Sequence, residues 1–188
     1  MSSTQPAPSA ASRDDAIDAF SQCHVGITSH LQALRELPAL LEPAARARKL
    51  ADDTLRFFRQ AVYAHHTDEE RELFPAVLAS AAKGDESEKV QAMVDRLTAE
   101  HRRVEAAWEK LEPGLKAVAQ GRDTTLDTQA LERLVDQYLG HAGFEEREFL
   151  PLAETILGRN SNHLAALGVS LHMRHALPEV LQRYGHRI

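Results

Sequence analysis

Apolar residues recur along most of the chain at intervals of three and four, the spacing of one face of an α-helix. Breakers divide the pattern into segments. The first runs from about Asp14 to Leu37 and stops at Pro38, and the second starts near Pro43 and ends at Lys83-Gly84-Asp85. The third spans about Glu86 to Gln120 before Gly121, and the fourth runs from near Asp127 to Gly158. A shorter fifth segment, about Asn162 to Leu177, precedes Pro178. Residues 1–13 are rich in Ser, Ala and Pro and read as disordered. Four long amphipathic segments with short connections predict an all-α fold, an antiparallel up-down four-helix bundle over residues 14–158. The short C-terminal helix and tail, residues 159–188, are expected to pack on that bundle.

Each stripe is interrupted by polar residues. The first reads Ile17, Phe20, His24, Ile27, Leu31, Leu34, and the second Leu55, Phe58, Val62, His65, Glu69, Leu73, Val77. The third reads Val90, Val94, Leu97, His101, Val104, Trp108, Leu111, and the fourth Leu131, Leu134, Tyr138, His141, Glu145, Phe149, Leu152. Every helix thus aims a histidine at the core, and two add a glutamate one turn on. The segments HHTDEERELFPAV from His65 and HAGFEEREFLPLA from His141 share His, Glu-Glu-Arg-Glu and Pro at equal offsets, an internal repeat. His101 and His141 stand equally far from the break at Gly121, and His65 and His101 nearly so from Gly84, which puts them at one level in antiparallel neighbours. His24 fits less well, with an offset of up to about 12 Å to be absorbed by loop and tilt.

A lone histidine on an apolar face is more often a hydrogen-bonded core residue than a ligand. Six convergent imidazoles and carboxylates are different, because burying them together without counter-charge is severely destabilising. Two metal cations remove the difficulty. Mixed nitrogen and oxygen donors accept Fe, Mn or Zn. His66 and Glu70, with Arg59, lie one step off the stripe and read as rim residues, though a register shift of one residue would bring them inward. His30 reads as exposed, His172 and His175 as surface or packing residues, and His163 and His186 carry no signal. Tyr138 and Tyr63 are placed to pack near the level of the histidines.

Composition narrows the classes. A chain of 188 residues is one domain by length. A net charge of −6 supplies no basic surface for nucleic acid. The single cysteine, Cys23, excludes an internal disulfide and a Cys-rich metal site, and reads as a small core residue. No secretory h-region and no run of about 20 apolar residues is visible, so a soluble, cytoplasmic protein without membrane contact is expected.

Over residues 14–176 the chain resembles the hemerythrin-like, or HHE cation-binding, family. The carrying motifs are His65-x-x-x-Glu69-Glu70-x-x-Leu73-Phe74-Pro75, Glu100-His101, and His141-x-x-x-Glu145-Glu146 followed by Leu150-Pro151-Leu152-Ala153-Glu154. The stretch from Leu167-Gly168 to Met173-Arg174 is similar to the helix that often follows the bundle in bacterial members. The resemblance implies a non-heme di-iron centre in which Glu69 and Glu145 bridge and His24, His65, His101 and His141 cap the irons. Oxygen-carrying members add a histidine on the third helix in a His-x-x-x-His pair; here Leu97 and Glu105 flank His101 at those offsets, which argues against reversible oxygen carriage. Glu105 is an alternative extra ligand.

Four imidazoles and two bridging carboxylates supply about eight donor atoms where two six-coordinate irons need about twelve, so O2, NO or peroxide can be met directly. The function implied is sensing or detoxification of small oxidants, by a monomer or homodimer. A peroxide-decomposing or NO-directed activity stays open beside the alternative, non-enzymatic iron or oxygen storage or sensing through the metal state.

Overall fold

The computed structural model describes residues 10–159, with side chains described from residue 21 onward and at Asp18. The expected fifth segment, with His163, His172, His175 and His186, and most of the expected disordered N-terminal stretch lie outside the described residues. Among the described residues all regular structure is helical and there is no strand, in agreement with the all-α expectation. No helix there is long and apolar enough to cross a membrane.

The chain divides into two compact units, residues 1–48 and 49–188. The first holds α1 (Ala10–Ala33), a 3-10 turn (Leu34–Glu36) and the start of α2 (Leu37–Phe57). The break expected at Pro38–Pro43 is helical instead. Pro38 sits in the first turn of α2, where a missing N–H costs nothing, and Pro43 gives up one hydrogen bond inside the helix without ending it. Ile27, Leu31 and Leu34, the expected stripe of the first helix, are exposed. Cys23 is exposed as well, not a core residue.

In the second unit α2 runs on through a π-helical turn (Phe58–Val62), α3 (Tyr63–Asp68), a second π turn (Glu69–Leu73) and α4 (Phe74–Ser80). Gly84, at φ 95°, makes the turn into α5 (Asp85–Ala119), and Gly121, at φ 67°, the exit from it. Only glycine takes this region without strain, which is why both breaks were legible. The carboxylate of Asp127 accepts a hydrogen bond from the Ala130 N–H at 3.0 Å and caps α6 (Thr128–Phe144). A third π turn (Glu145–Phe149) leads into α7 (Leu150–Gly158). α5 packs on α6, and α4 packs on α5 and α7.

Two apolar clusters result. One gathers Phe74, Val77, Val90, Leu97, Phe149, Ile156 and Leu157; Phe74 and Phe149 meet edge to face at 5.2 Å. The other gathers Leu55, Phe58, Val62, Val104, Trp108, Leu111 and Leu134, with Phe58 stacked on the buried Trp108 at 3.9 Å. On α5 the clusters are separated by one residue of the stripe, His101, between Leu97 and Val104. The polar site occupies that layer.

Candidate metal centre

The helix that runs from Leu37 to Ser80 aligns with the expected stripe up to Val62. There the π turn Phe58–Val62, closed by i→i+5 bonds, holds one residue more than an α turn. After it the expected stripe is kept at Glu69 and Val77 but moves by one position at the histidine. His66, four residues after Val62, is buried at 1% exposure, while the His65 side chain is 47% exposed. After the second π turn, Glu69–Leu73, Phe74 rather than Leu73 is buried, and Val77 lies in the core as expected. On α6 the α register is unbroken from Leu134 through His141 to Glu145, and only after the third π turn does Ala153 replace Leu152 inside.

The structure brings together Glu69, His101, His141 and Glu145, whose ligand atoms lie within 4.8 Å of one another, and it groups His66 with His101 and His141 on the same criterion. His101 Nε2 stands 3.2 Å from Glu69 Oε2, and His141 Nε2 3.5 Å from Glu145 Oε2. His65 Nε2 reaches Glu69 Oε1 at 3.3 Å and Glu145 Oε2 at 4.0 Å from the rim. The rings of His66 and His101 stack at 3.9 Å, nearly parallel. Of the expected ligands, His24 lies on α1 in the first unit and is exposed. His66, read from the sequence as a rim residue, is the one that the structure adds.

Each of the three buried imidazoles is held from behind. Nδ1 of His66 pairs with Glu105 Oε1 at 3.0 Å, Nδ1 of His101 with Glu70 Oε1 at 2.8 Å, and Nδ1 of His141 with Glu100 Oε2 at 3.3 Å. Burial opposes the charge of Glu70 and Glu100, but hydrogen bonds from His101 and Arg102 and from Arg96 and His141 win, and both carboxyls are held below their ordinary range. An ionised carboxylate only accepts, so the imidazole Nδ1–H donates and Nε2 is left with a bare lone pair. This is the arrangement by which outer carboxylates orient metal-binding histidines. Glu105 is thus a partner of His66 here, and Glu70 and Glu100, not foreseen in this role, are its equivalents.

The inward atoms tell the complementary story. His66 Nε2, His101 Nε2, His141 Nε2, Glu69 Oε2 and Glu145 Oε1 are all buried without a hydrogen-bond partner. At about 1–3 kcal/mol for each unsatisfied group, five of them rival the whole stability of a domain, about 5–15 kcal/mol. Burial pushes Glu69 up to about 7 and Glu145 up to about 8, the latter also through the charge of Glu69. Burial pulls His66 down to about 4 and lowers His141 as well. The site therefore resists charging its own groups while exposing a neutral-imidazole and carboxylate donor set. Divalent or trivalent cations would satisfy all five atoms at once, and the nitrogen–oxygen mixture suits iron, manganese or zinc. Tyr138 is partly buried beside His141, with ring centroids 6.0 Å apart, and burial and the two carboxylates raise its phenol.

The family model described as hemerythrin HHE cation-binding domain matches residues 15–153. An uncharacterized protein of Haemophilus influenzae (strain ATCC 51907 / DSM 11121 / KW20 / Rd) is 25% identical over 160 residues, 81% of this chain and 90% of that protein. No solved structure matches significantly. The chain belongs to the hemerythrin HHE cation-binding family.

Proposed function

We propose that this hemerythrin-family chain holds two non-heme irons at the buried cluster and meets small oxidants there, sensing or detoxifying peroxide, NO or O2. In this reading Glu69 and Glu145 would hold the irons as carboxylate ligands, and His66, His101 and His141 as imidazole ligands, through the atoms gathered within 4.8 Å in two overlapping groups. His65 stands at the rim within reach of both carboxylates. The observation that carries the reading is the set of five buried donor atoms with no partner, gathered from three helical segments. When bound, iron would supply redox chemistry and coordination positions for a small oxidant. The chain's own residues keep three Nε2 lone pairs free, exclude bulk water through the two apolar clusters, and leave the His65 edge as the open side.

Iron is preferred to manganese or zinc on family grounds, and the donor set suits it. The test is metal content and optical spectrum of protein from iron-supplemented cells, beside a His66→Ala/His141→Ala variant. About two irons per chain, with near-ultraviolet absorption lost in the variant, is the expected outcome. A metal-free wild type with the stability of the variant overturns the reading. The same titration on His24→Ala tests His24 as a further ligand. Peroxide consumption and NO binding by loaded wild type then distinguish turnover from storage or sensing, which binds without consuming.

A further inference from the structure

We propose that Arg102 is a positioning residue for the metal centre, tying Glu70 and Glu105 together so that His101 and His66 keep Nδ1 protonated and Nε2 turned inward. The inference rests on the metal-binding reading above and concerns a residue outside the cluster itself. α5 carries His101 and Glu105 four residues apart, and α3 with the π turn that follows it carries His66 and Glu70 at the same spacing. The pairs exchange partners across the two helices: His66 bonds Glu105 and His101 bonds Glu70. Each carboxylate spends Oε1 on the imidazole and turns Oε2 outward. Arg102 takes both outward oxygens, Glu105 Oε2 at 2.9 Å through Nη1 and Glu70 Oε2 through Nη2. With the stacked rings of His66 and His101, the five side chains form a closed loop: His66, Glu105, Arg102, Glu70, His101.

The planar fork of arginine suits this role, since it presents two donors to two carboxylates at fixed separation, which a lysine point charge cannot do. His141 provides an internal control. Its carboxylate, Glu100, is held by Arg96 at 2.9 Å and by Arg103 at 3.5 Å, and Arg102 has no bond to it. Loss of Arg102 should therefore disturb two imidazoles and spare the third. An ordinary surface ion pair, worth about 0–1 kcal/mol, would disturb none.

The experiment reads tautomers in metal-free protein by long-range nitrogen–proton NMR, and cobalt(II) affinity by chelator competition, in wild type, Arg102→Gln, Arg102→Lys and Arg96→Gln. The expected result is Nδ1–H at all three histidines in wild type. Arg102→Gln should give mixed tautomers at His66 and His101 alone, with cobalt affinity down about tenfold or more, the range for partners outside the ligand set. Arg102→Lys should lie between, and Arg96→Gln should disturb His141 alone. Circular dichroism establishes that the variants are folded; should Arg102→Gln unfold, the lysine variant carries the same comparison. Wild-type tautomers and wild-type affinity in both Arg102 variants overturn the inference. A wild type that binds no cobalt or iron defeats the metal reading instead, while the tautomers still report on Arg102.

Discussion

The buried carboxylates make the metal-free protein sensitive to alkali in a way that the loaded protein should not be. Folding raises Glu69 to about 7 and Glu145 to about 8 from an ordinary 4.5, chiefly through burial. The folded state therefore holds protons that the unfolded chain has already released. Their stabilisation is complete below the unfolded value and is lost as the pH rises through about 7 and 8. At about 1.36 kcal/mol per pH unit, the rise of Glu69 alone corresponds to about 3 kcal/mol. The two acids face one another and titrate as a pair, so their joint effect is about 3–5 kcal/mol and not the sum of independent shifts. His66 acts in the opposite sense. Burial lowers it from 6.5 to about 4, so its contribution is present above the unfolded value and is lost as the pH falls through about 4.

Metal-free stability should thus fall as the pH rises from about 6 to 8.5, with the loss of His66's contribution opposing it on the acid side. Urea unfolding followed by circular dichroism, at intervals from pH 5 to 9, measures it. With a slope of about 1–3 kcal/mol per molar urea, the midpoint should drop by about 1–2 M between pH 6 and 8.5. Iron-loaded protein should show no such drop, because the carboxylates are then ligands and carry no proton to lose. Glu69→Gln, which cannot ionise, should be more stable than metal-free wild type at pH 8.5 while binding metal poorly. A metal-free midpoint that stays flat or rises from pH 6 to 8.5 refutes the reasoning, as does an undiminished slope in Glu69→Gln/Glu145→Gln.

Three further outcomes are expected. His66→Ala should lower iron affinity more than tenfold and His65→Ala only a few-fold, by chelator competition, because the first removes a buried donor atom and the second a rim group. Deleting Gln60 from the π turn Phe58–Val62 should remove the extra residue and leave the flanking stretches on the same faces, so metal binding should still depend on His66; a transfer of that dependence to His65 would show that the turn does not absorb the residue. Trp108→Ala, which empties the centre of one apolar cluster and its stack on Phe58, should cost about 3–5 kcal/mol in thermal or urea unfolding of loaded protein without altering iron per chain.

His101, His141 and Glu145 were legible in the sequence for a specific reason, and Glu69 because it falls seven residues, two α turns, after Val62. On α5 the α register is unbroken from Gly84 to Gly121, and on α6 from Asp127 to Glu145, so counting by three and four lands on the buried residues. The breaks were legible because their glycines take positive φ; the prolines misled because one falls in a first helical turn and the other is tolerated inside α2. On the second helix His65 and His66 stand three and four residues after Val62, and the segment Phe-Arg-Gln-Ala-Val has no glycine or proline to advertise the inserted residue that accompanies the burial of His66. The π turn is a property of packing, not of local propensity. A trace of it was nevertheless present. Helix two carries His-His where helix four carries a single His, and His66–Glu70 repeats the four-residue spacing of His101–Glu105. Two identical His-x-x-x-Glu pairs on facing helices can satisfy each other only if both are at the interface, which requires His66 inward. That requirement selects His66 over His65, two neighbours that both stand within three or four residues of Val62. It leaves Glu69 three residues from His66 and four from His65, within a turn of a buried imidazole and of an exposed one.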